Sequence, residues 1–449
     1  MRKRVSSVAR GVLSFALVVT SVGCVYDEMI EASSSERTDT PSVEFHNDGA
    51  VTVGEVRYAD VVDFQLSDEF QENGRRCGTK EEPSEFLEFA PSDCSFKNTL
   101  IDDDYSPENG DVLQVSVVFH VIERSDGKGH IPLELIQSQI EILNEDYRAL
   151  AETPGSEGVD AKIQFVLANE DESGNPTTGV QYRVSNSWFS DPGTGPSPMK
   201  SALGWDPNRY FNIYTNDANG ALGYATFPSK TAGKSDDGVV LLWSSVGRDA
   251  PDGGVYNQGR TLTHEAGHYF GLFHTFQGGC GSDDSPYTTG DLIKDTTAHS
   301  SPDFKCNAKA STCDGADDSP IENYMNYTND TCMTGFSFEQ SNRMRCSTLQ
   351  YRPELFRVAN GSNKAPSPSF KSQVTESQVS FSDTSSDKDG NIVGWFWDFG
   401  DGSYSSKQNP THDYAEAGKY QVSLLVQDDK GGTSVSTFEV DVVVGSGNS

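Results

Sequence analysis

The stretch HEAGHYFGLFH places three histidines, one glutamate and two glycines at a spacing that suits a metal centre. In a helix, His264 and His268 lie one turn apart on the same face, so both imidazoles can reach one ion. Gly271 lets the chain leave the helix, and His274 then returns as a third ligand. Three neutral nitrogen ligands with a fourth position left to water are typical of catalytic zinc. We expect Glu265 to lie beside the ion and to act as the general base that activates this water.

The bare pattern H-E-x-x-H also arises by chance in helices with ordinary surface residues. Here the extended pattern uses three of the eight histidines of the chain within eleven residues. It is the spacing of metzincin peptidases, which carry a methionine turn as a second element. Met325 in NYMNYTNDTC is predicted to form the apolar floor of the site, although a single methionine is more often core filler. Tyr327 is expected to stabilise the developing oxyanion, and packing alone is the alternative role of its ring.

The segments around these residues predict an α+β domain with an antiparallel or mixed sheet. Strands are predicted for LQVSVVFHVIER, KIQFVLA, YFNIYTN and DGVVLLW, and helices for LELIQSQIEILNEDYRAL and TLTHEAGHYFGLFHTF. NGSNKAPSPS has the composition of a linker, and VSFSD, YQVSLLVQDD and STFEVDVVV predict a small all-β sandwich beyond it. The predicted boundaries are 98–357 for the first domain, 358–365 for the linker and 366–445 for the sandwich.

The charge balance limits the classes of partner. The chain of 449 residues carries 67 acidic and 34 basic residues, which gives a formal net charge of −33. This balance repels phosphate backbones and anionic lipid surfaces, so nucleic acid is excluded as an expected partner. Solubility in a salty medium is the first interpretation of the charge, and cation binding at local acidic clusters is the second.

The N-terminus predicts export. Residues 1–23 combine a basic start, a short apolar run and small residues before Cys24. We expect an extracellular or cell-surface protein, with membrane attachment only if Cys24 is lipidated, because no later stretch approaches the ~20 apolar residues of a span. Residues 24–97 are rich in Ser, Glu, Asp and Asn, a composition that predicts a prosegment.

Several motifs together resemble the pappalysin family of metallopeptidases: GYATFP, TLTHEAGHYFGLFHTFQGGC, GDLIKDT and ENYMNYTNDTCMTGFSFEQSNRM. The similarity spans most of residues 108–350. It implies a metzincin endopeptidase whose substrate lies antiparallel along an edge strand above the active-site helix. It also implies zinc on His264, His268 and His274, with Glu265 as general base and Tyr327 as transition-state stabiliser.

The same resemblance implies disulfides and a calcium site around this centre. The implied disulfides, which suit an exported chain, pair Cys280 with Cys313 and Cys306 with Cys332. Cys346 lies outside this pattern, with Cys94 as one candidate partner. GDLIKDT resembles the family's calcium loop, with Asp291 and Thr296 as ligands in an oxygen shell, and a solvated acidic turn is the alternative.

The prediction of substrate specificity rests on Asp330. It lies at the position where family members that cleave before arginine or lysine place a carboxylate at the base of the pocket. A carboxylate there would select a cationic side chain after the cut through charge-assisted hydrogen bonds. A plain turn residue is the alternative role of Asp330.

The C-terminal segment GWFWDFGDGSYSSKQNPTHDYAEAGKYQVSLLVQDDKGG resembles a PKD domain, with WDFGDG as its signature. The resemblance implies an immunoglobulin-like module of the kind that accompanies secreted peptidases. Trp395 and Trp397 could contact an insoluble polymer, and buried packing is the alternative use of these rings. Attachment to substrate and simple spacing are equally open, because a fold does not specify a function.

GRRCGT contains a lone cysteine, Cys77, that could occupy the water position of the zinc until the prosegment is removed. RRCGT also resembles the prosegment motif of the pappalysin family, in which the cysteine serves as this switch. Arg75 and Arg76 are expected to favour the thiolate, and an arginine could also mimic substrate in an acidic pocket. Gly78 would permit close approach of the backbone to the cleft. A disulfide between Cys77 and Cys94 is the alternative.

These features predict a secreted, calcium-stabilised zinc endopeptidase that is made as a zymogen and cleaves extracellular proteins before arginine or lysine. Self-cleavage before Lys97, the only lysine or arginine between Lys80 and Arg124, would detach the prosegment. Two alternatives stay open. One is a catalytically weak surface adhesin that binds through the PKD module, and the other is a zinc hydrolase that acts on a non-peptide bond.

Overall fold

The computed structural model describes most of the chain from residue 43 onward. The described residues are 43–46, 50–73, 76–80, 101–108, 110–190, 197–282, 286–287, 289–306, 313, 319–359 and 363–443. The predicted export signal lies outside them, as do Cys24, Arg75, Cys94 and Lys97. Among the described residues, no helix combines the length and the apolar character that a membrane span requires.

The described residues of the predicted prosegment form three short antiparallel strands and two short helices. These are β1 (Val43–Phe45), β2 (Val51–Val53), β3 (Val56–Tyr58), α1 (Val61–Gln65) and α2 (Asp68–Asn73). Its apolar side chains do not form a separate core. Val51, Phe64 and Phe70 instead cluster with Leu222 and Tyr256, which belong to the central domain, whose described residues begin at 101.

The described strands of the central domain form a mixed seven-stranded sheet. They are β4 (Leu113–Glu123), β5 (Ile163–Leu167), β6 (Val180–Val184), β7 (Phe211–Asn216), β8 (Gly223–Tyr224), β9 (Val239–Leu242) and β10 (Phe356–Val358). The order is β10-β4-β7-β9-β8, and β5 and β6 pair with β4. Strand β4 is parallel to β5, β6 and β7, whereas β10 and the edge strand β8 are antiparallel to their neighbours. The predicted mixed sheet is therefore confirmed.

Six helices accompany the sheet within the described part of this domain. They are α3 (Leu133–Tyr147), α4 (Asn186–Phe189), α5 (Pro198–Leu203), α6 (Pro228–Thr231), α7 (Arg260–Tyr269) and α8 (Phe338–Tyr351). Helix α3 is the predicted helix LELIQSQIEILNEDYRAL. Its buried side chains recur at helical spacing at Leu133, Ile136, Ile140 and Leu143 and join the core beneath the sheet.

The C-terminal residues form the predicted β-sandwich. Its strands are β11 (Phe370–Thr375), β12 (Gln378–Asp383), β13 (Ile392–Asp398), β14 (Tyr404–Ser405), β15 (Thr411–Asp413), β16 (Gly418–Asp428) and β17 (Thr433–Val442). The two sheets have the orders β11-β12-β15 and β14-β13-β16-β17. Trp397 is buried in the sandwich core and donates from Nε1 to the carbonyl oxygen of Lys407 at 2.8 Å. Trp395 is half-buried and donates to the carboxylate of Asp383 at 2.9 Å, so both indole N–H groups have partners within the sandwich.

The sandwich packs directly on the central domain. The rings of Tyr182 and Tyr404 stack with centroids 4.4 Å apart and an interplanar angle of 10°. Gln137 on α3 donates to the carbonyl oxygen of Thr433 at 3.1 Å, and the hydroxyl of Thr433 donates back to Oε1 of Gln137 at 2.6 Å. Side chains therefore join the two domains in addition to the linker.

Candidate active site

Helix α7 and the turn that follows it bring the three predicted histidines together. His264 and His268 lie on one face of α7. Gly271 follows with a φ of 98°, and a Cβ there would lie 2.6 Å from Oγ of Ser347, so this exit from the helix requires glycine. The chain then returns so that Nε2 of His274 lies 3.0 Å from Nε2 of His268, and Nε2 of His264 lies 3.2 Å from that same atom.

The hydrogen bonds of Nδ1 show which ring nitrogen of His264 and His268 keeps its lone pair. Nδ1 of His264 lies 2.6 Å from the carbonyl oxygen of Tyr324, and Nδ1 of His268 lies 2.8 Å from that of Leu272. A carbonyl oxygen only accepts hydrogen bonds, so Nδ1 carries the proton in both rings and Nε2 keeps its lone pair. Burial lowers the pKa of all three imidazoles, that of His264 to about 4. Converging lone pairs on neutral imidazoles fit a zinc ion between them.

The prosegment brings a fourth donor to this cluster. Sγ of Cys77 and the ring nitrogens of the three histidines all lie within 4.8 Å of one another, and all four residues are buried. Cys77 is a free thiol, so the alternative disulfide with Cys94 is wrong. Burial, with the nearby carboxylate of Glu265, raises the pKa of the Cys77 thiol well above its usual value. The expected help of Arg76 in forming the thiolate is not found, because its guanidinium donates to the carbonyl oxygens of Gln71, Phe304 and Tyr327.

Thr79 forms a hydrogen bond with Glu265, the predicted general base. Its Oγ1 donates to Oε2 of Glu265 at 2.8 Å and accepts from the backbone N–H of Ala225 at 2.8 Å. The backbone N–H of Thr79 also lies 3.3 Å from Sγ of Cys77. One short segment of the prosegment therefore contacts both the metal cluster and the catalytic carboxylate. Thr79 stands in the motif GRRCGT, but its role was missed at the level of sequence.

The backbone of this segment pairs with the edge strand β8. Cys77 and Gly223 form a parallel bridge. The N–H of Gly78 donates to the carbonyl oxygen of Gly223 at 2.7 Å, and the N–H of Leu222 donates to that of Arg76 at 3.0 Å. A Cβ on Gly78 would lie 3.3 Å from the carbonyl oxygen of Gly223, so glycine permits this close approach.

Arg76 fills a pocket beside the metal cluster. Its side chain is buried, and Cζ lies over the ring of Tyr256 at 4.7 Å and over that of Phe304 at 5.1 Å from the centroids. Nη2 donates to the carbonyl oxygen of Phe304 at 3.1 Å, and Nη1 donates to that of Tyr327. Asp330 lines the same pocket, and its role in specificity stays a prediction.

Asp330 also has a structural role. Its Oδ2 accepts from the backbone N–H groups of Gln258 at 2.8 Å and Arg260 at 3.3 Å, where the chain enters α7. Burial raises the pKa of this carboxyl group to about 6. The two roles weighed for Asp330, pocket residue and turn residue, are therefore compatible.

The methionine turn lies against α7. Met325 is fully buried, and a Cβ on Gly267 would lie 2.4 Å from its Sδ, so α7 can approach the turn only with glycine at this position. The ring of Tyr327 lies with its centroid 4.9 Å from that of His274 and 5.8 Å from that of His264. The tyrosine is thus beside the metal cluster, where its predicted role requires it.

A buried carboxylate that the sequence did not reveal joins these elements. Asp146, on α3, accepts from Oγ1 of Thr263 at 2.6 Å and from the hydroxyl of Tyr324 at 2.7 Å, and lies 3.1 Å from Nη1 of Arg260. It positions α7 and the methionine turn without touching the metal cluster. Asp146 and Tyr324 are 178 residues apart in the chain, so no local pattern links them.

The predicted calcium loop and the disulfides surround this centre. Thr296 donates from Oγ1 to Oδ2 of Asp291 at 2.6 Å, and burial raises the pKa of Asp291 to about 7. The calcium site itself stays a prediction. The disulfides found are Cys280–Cys313 and Cys306–Cys332, the pairs that the resemblance implies. Cys346 is also disulfide-bonded.

Comparisons with known proteins identify the relatives of this chain. Residues 199–348 match the peptidase family model described as pregnancy-associated plasma protein-A, and residues 363–442 match a PKD domain. Extracellular metalloprotease 1 of Coccidioides posadasii is 35% identical over 247 residues, which cover 54% of this chain and 78% of the relative. An extracellular metalloprotease of Arthroderma benhamiae is 34% identical over 277 residues, covering 59% and 81% of the two chains.

Among solved structures, the chain is similar to Tannerella forsythia mature mirolysin in complex with a cleaved peptide. The identity is 31%, the match covers 55% of this chain and 96% of that one, and the TM-score is 0.47. The extended histidine motif, the methionine turn and the matched relatives lead to one assignment. The chain belongs to the pappalysin family of zinc metallopeptidases and carries a C-terminal PKD domain.

Proposed function

We propose that this metalloendopeptidase is made as a zymogen in which Cys77 closes the zinc site. The similarity to extracellular metalloproteases supports the coarser statement, a secreted metalloendopeptidase. One observation carries the finer proposal: Sγ of Cys77 converges with the ring nitrogens of three buried histidines. A thiolate at this position takes the place of the water that hydrolysis requires.

The residues of the mature site divide the chemistry between them. His264, His268 and His274 would hold zinc, which polarises the scissile carbonyl and activates water when bound. Glu265 takes the proton of the attacking water and delivers it to the leaving amine. Tyr327, whose ring lies beside that of His274, donates its hydroxyl to the developing oxyanion.

The zymogen is expected to block two of these roles separately, that of the zinc-bound water and that of Glu265. Cys77 takes the water position, and the hydroxyl of Thr79 holds the carboxylate of Glu265 at 2.8 Å. The segment runs parallel to β8, whereas the family resemblance implies a substrate antiparallel to an edge strand. A prosegment in the reversed direction does not present its peptide bond to Glu265 in the productive orientation, which explains how it can occupy the cleft without being cut.

We also propose cleavage before arginine or lysine. A cationic side chain after the cut would enter the pocket that Asp330 lines and that Arg76 fills in the zymogen. The charge of Asp330 favours a cation in this buried place, since an unpaired cation would lose its hydration there.

The decisive experiment compares the full-length wild-type protein with Glu265→Ala. We expect wild type to mature and then to degrade casein in a reaction that phenanthroline blocks. Glu265→Ala should lose about 10²- to 10⁴-fold in turnover, the usual contribution of a general base. An adhesin or a non-peptide hydrolase would leave casein intact in both proteins, and that result would overturn the proposal.

Calcium is proposed as a stabilising ion at the loop that holds Asp291. The buried carboxylate and the hydroxyl of Thr296 are oxygen donors of the kind that calcium selects. We expect calcium to raise the thermal midpoint of the Glu265→Ala protein, and Asp291→Ala in that background to abolish the increase. An equal increase in both proteins would place the ion elsewhere.

A further inference from the structure

Arg76 shows how the pocket beside the metal cluster holds a guanidinium group. Within the described residues, each hydrogen bond of this group goes to a carbonyl oxygen. The acceptors are the backbone oxygens of Gln71, Phe304 and Tyr327 and Oδ1 of Asn329. The rings of Tyr256 and Phe304 lie against the same group. Asp330 acts on it as a nearby charge.

This arrangement is specific to the shape of arginine. A guanidinium group is planar and weakly hydrated, so it can lie against aromatic faces while several N–H groups donate to carbonyl oxygens. A lysine ammonium is compact and strongly hydrated, and it loses more hydration when it is placed between rings. The carboxylate of Asp330 attracts either cation and does not by itself distinguish between them.

We propose that Tyr256 and Phe304 form an aromatic clamp that makes the mature enzyme prefer arginine over lysine after the cut. The proposal rests on the proposed function, because it assumes that this pocket receives the residue after the scissile bond. The acceptor from Gln71 leaves with the prosegment. The rings of the clamp and the carbonyl oxygens of Phe304 and Tyr327 belong to the central domain and remain to bind substrate.

The test measures kcat/KM of the mature enzyme on three peptides that differ only after the cut, where they carry arginine, lysine or norleucine. Wild type should cleave in the order arginine, lysine, norleucine. Tyr256→Leu should lower the ratio of arginine to lysine by about tenfold, since leucine removes one of the two aromatic faces against which the guanidinium lies. Tyr256→Phe keeps the ring face and should restore the ratio.

Phe304→Leu provides a second, independent variant, because Tyr256 also packs in the cluster with the prosegment and its replacement could impair folding. Asp330→Asn is the matched comparison, and it should slow cleavage of the arginine and lysine peptides by a similar factor. Equal arginine and lysine rates in wild type, or an unchanged ratio in the folded leucine variants, would overturn the clamp alone. Norleucine cleaved as fast as arginine by wild type would instead overturn the proposed specificity of the pocket, and the clamp with it.

Discussion

The prosegment and the PKD domain both pack on the central domain, but through different kinds of contact. The prosegment reaches catalytic groups directly, with Cys77 at the histidines and Thr79 on Glu265. The described contacts of the PKD domain lie elsewhere on the central domain, in pairs such as Tyr182 with Tyr404 and Gln137 with Thr433. In the proposed zymogen, the first contact surface overlaps the place of the substrate, whereas the described contacts of the second do not include the predicted catalytic residues.

The two segments also differ in how far they can fold alone. The PKD domain has its own core around Trp397, between two sheets. The described prosegment has three-residue strands, and its apolar residues complete a cluster with the central domain. A segment this small rarely buries enough surface to fold alone. We therefore expect the prosegment to unfold once it is detached, so that its inhibition ends, whereas the PKD domain keeps its structure.

The largest expected effect is that of Cys77→Ala in the full-length zymogen. We expect it to mature at least about 100-fold faster than wild type, which corresponds to about 2.8 kcal/mol. This is a small part of the roughly 10–16 kcal/mol that four ligands supply in structural zinc sites. N-terminal sequencing of samples taken over time measures the rate. Val56→Ala, at an exposed prosegment position, is the control and should mature like wild type.

Unchanged maturation of Cys77→Ala would show that the prosegment inhibits by covering the cleft. The prosegment and the PKD domain would then differ in where they contact the central domain and not in the chemistry of their contacts.

Thr79→Val is expected to have the next largest effect. Valine has nearly the shape of threonine but cannot donate to Glu265 or accept from Ala225. A hydrogen bond to a charged group contributes about 1.5–3 kcal/mol, so maturation should be about tenfold faster or more. Thr79→Ser keeps the hydroxyl and should mature at nearly the wild-type rate. Equal rates for the valine and serine variants would mean that the hydroxyl does not restrain the general base.

A substitution in the PKD interface should lower the thermal stability without changing the maturation rate. Gln137→Ala deprives the buried hydroxyl of Thr433 of its acceptor, at a cost of about 1–3 kcal/mol. We expect a lower thermal midpoint in the Glu265→Ala background and, in the active protein, the maturation rate of wild type. Gln373→Ala, at an exposed position of β11, is the matched control. Faster maturation of Gln137→Ala would break the comparison, since the PKD domain would then help to hold the prosegment.

The features that could be predicted from the sequence are those set by residues close together in the chain. The helical spacing of His264 and His268 follows from α7, and Gly271 marks the exit that returns His274. The contacts of Asp146 with Tyr324 could not be predicted, because they join residues far apart in the chain, each of which is ordinary in its own segment. The PKD interface was missed for the same reason, since no periodicity within a domain encodes its partner.

The smallest expected effect tests whether the PKD interface responds to pH. His130 lies between two carboxylates, with Nδ1 3.0 Å from Oε1 of Glu123 and Nε2 3.7 Å from Oδ2 of Asp398 on the PKD domain. The hydrogen bond to Glu123 raises the pKa of His130 above its ordinary value of 6.5, and the charges of Glu123, Asp398 and Glu134 add to this. The hydroxyl of Tyr404 completes the cluster at 3.3 Å from Nδ1.

A histidine whose pKa is raised on folding contributes stability that is full below its unfolded pKa and is lost as the pH rises through its folded pKa. The thermal midpoint of the Glu265→Ala protein should therefore fall more between pH 6 and pH 8.5 than that of the same protein with His130→Gln. The group is partly exposed, so the difference should be on the order of a degree or two. Parallel pH profiles for the two proteins would show that His130 only packs between the domains. The stability of the PKD interface would then not depend on pH. This is what we expect of a domain contact that plays no part in activating the enzyme.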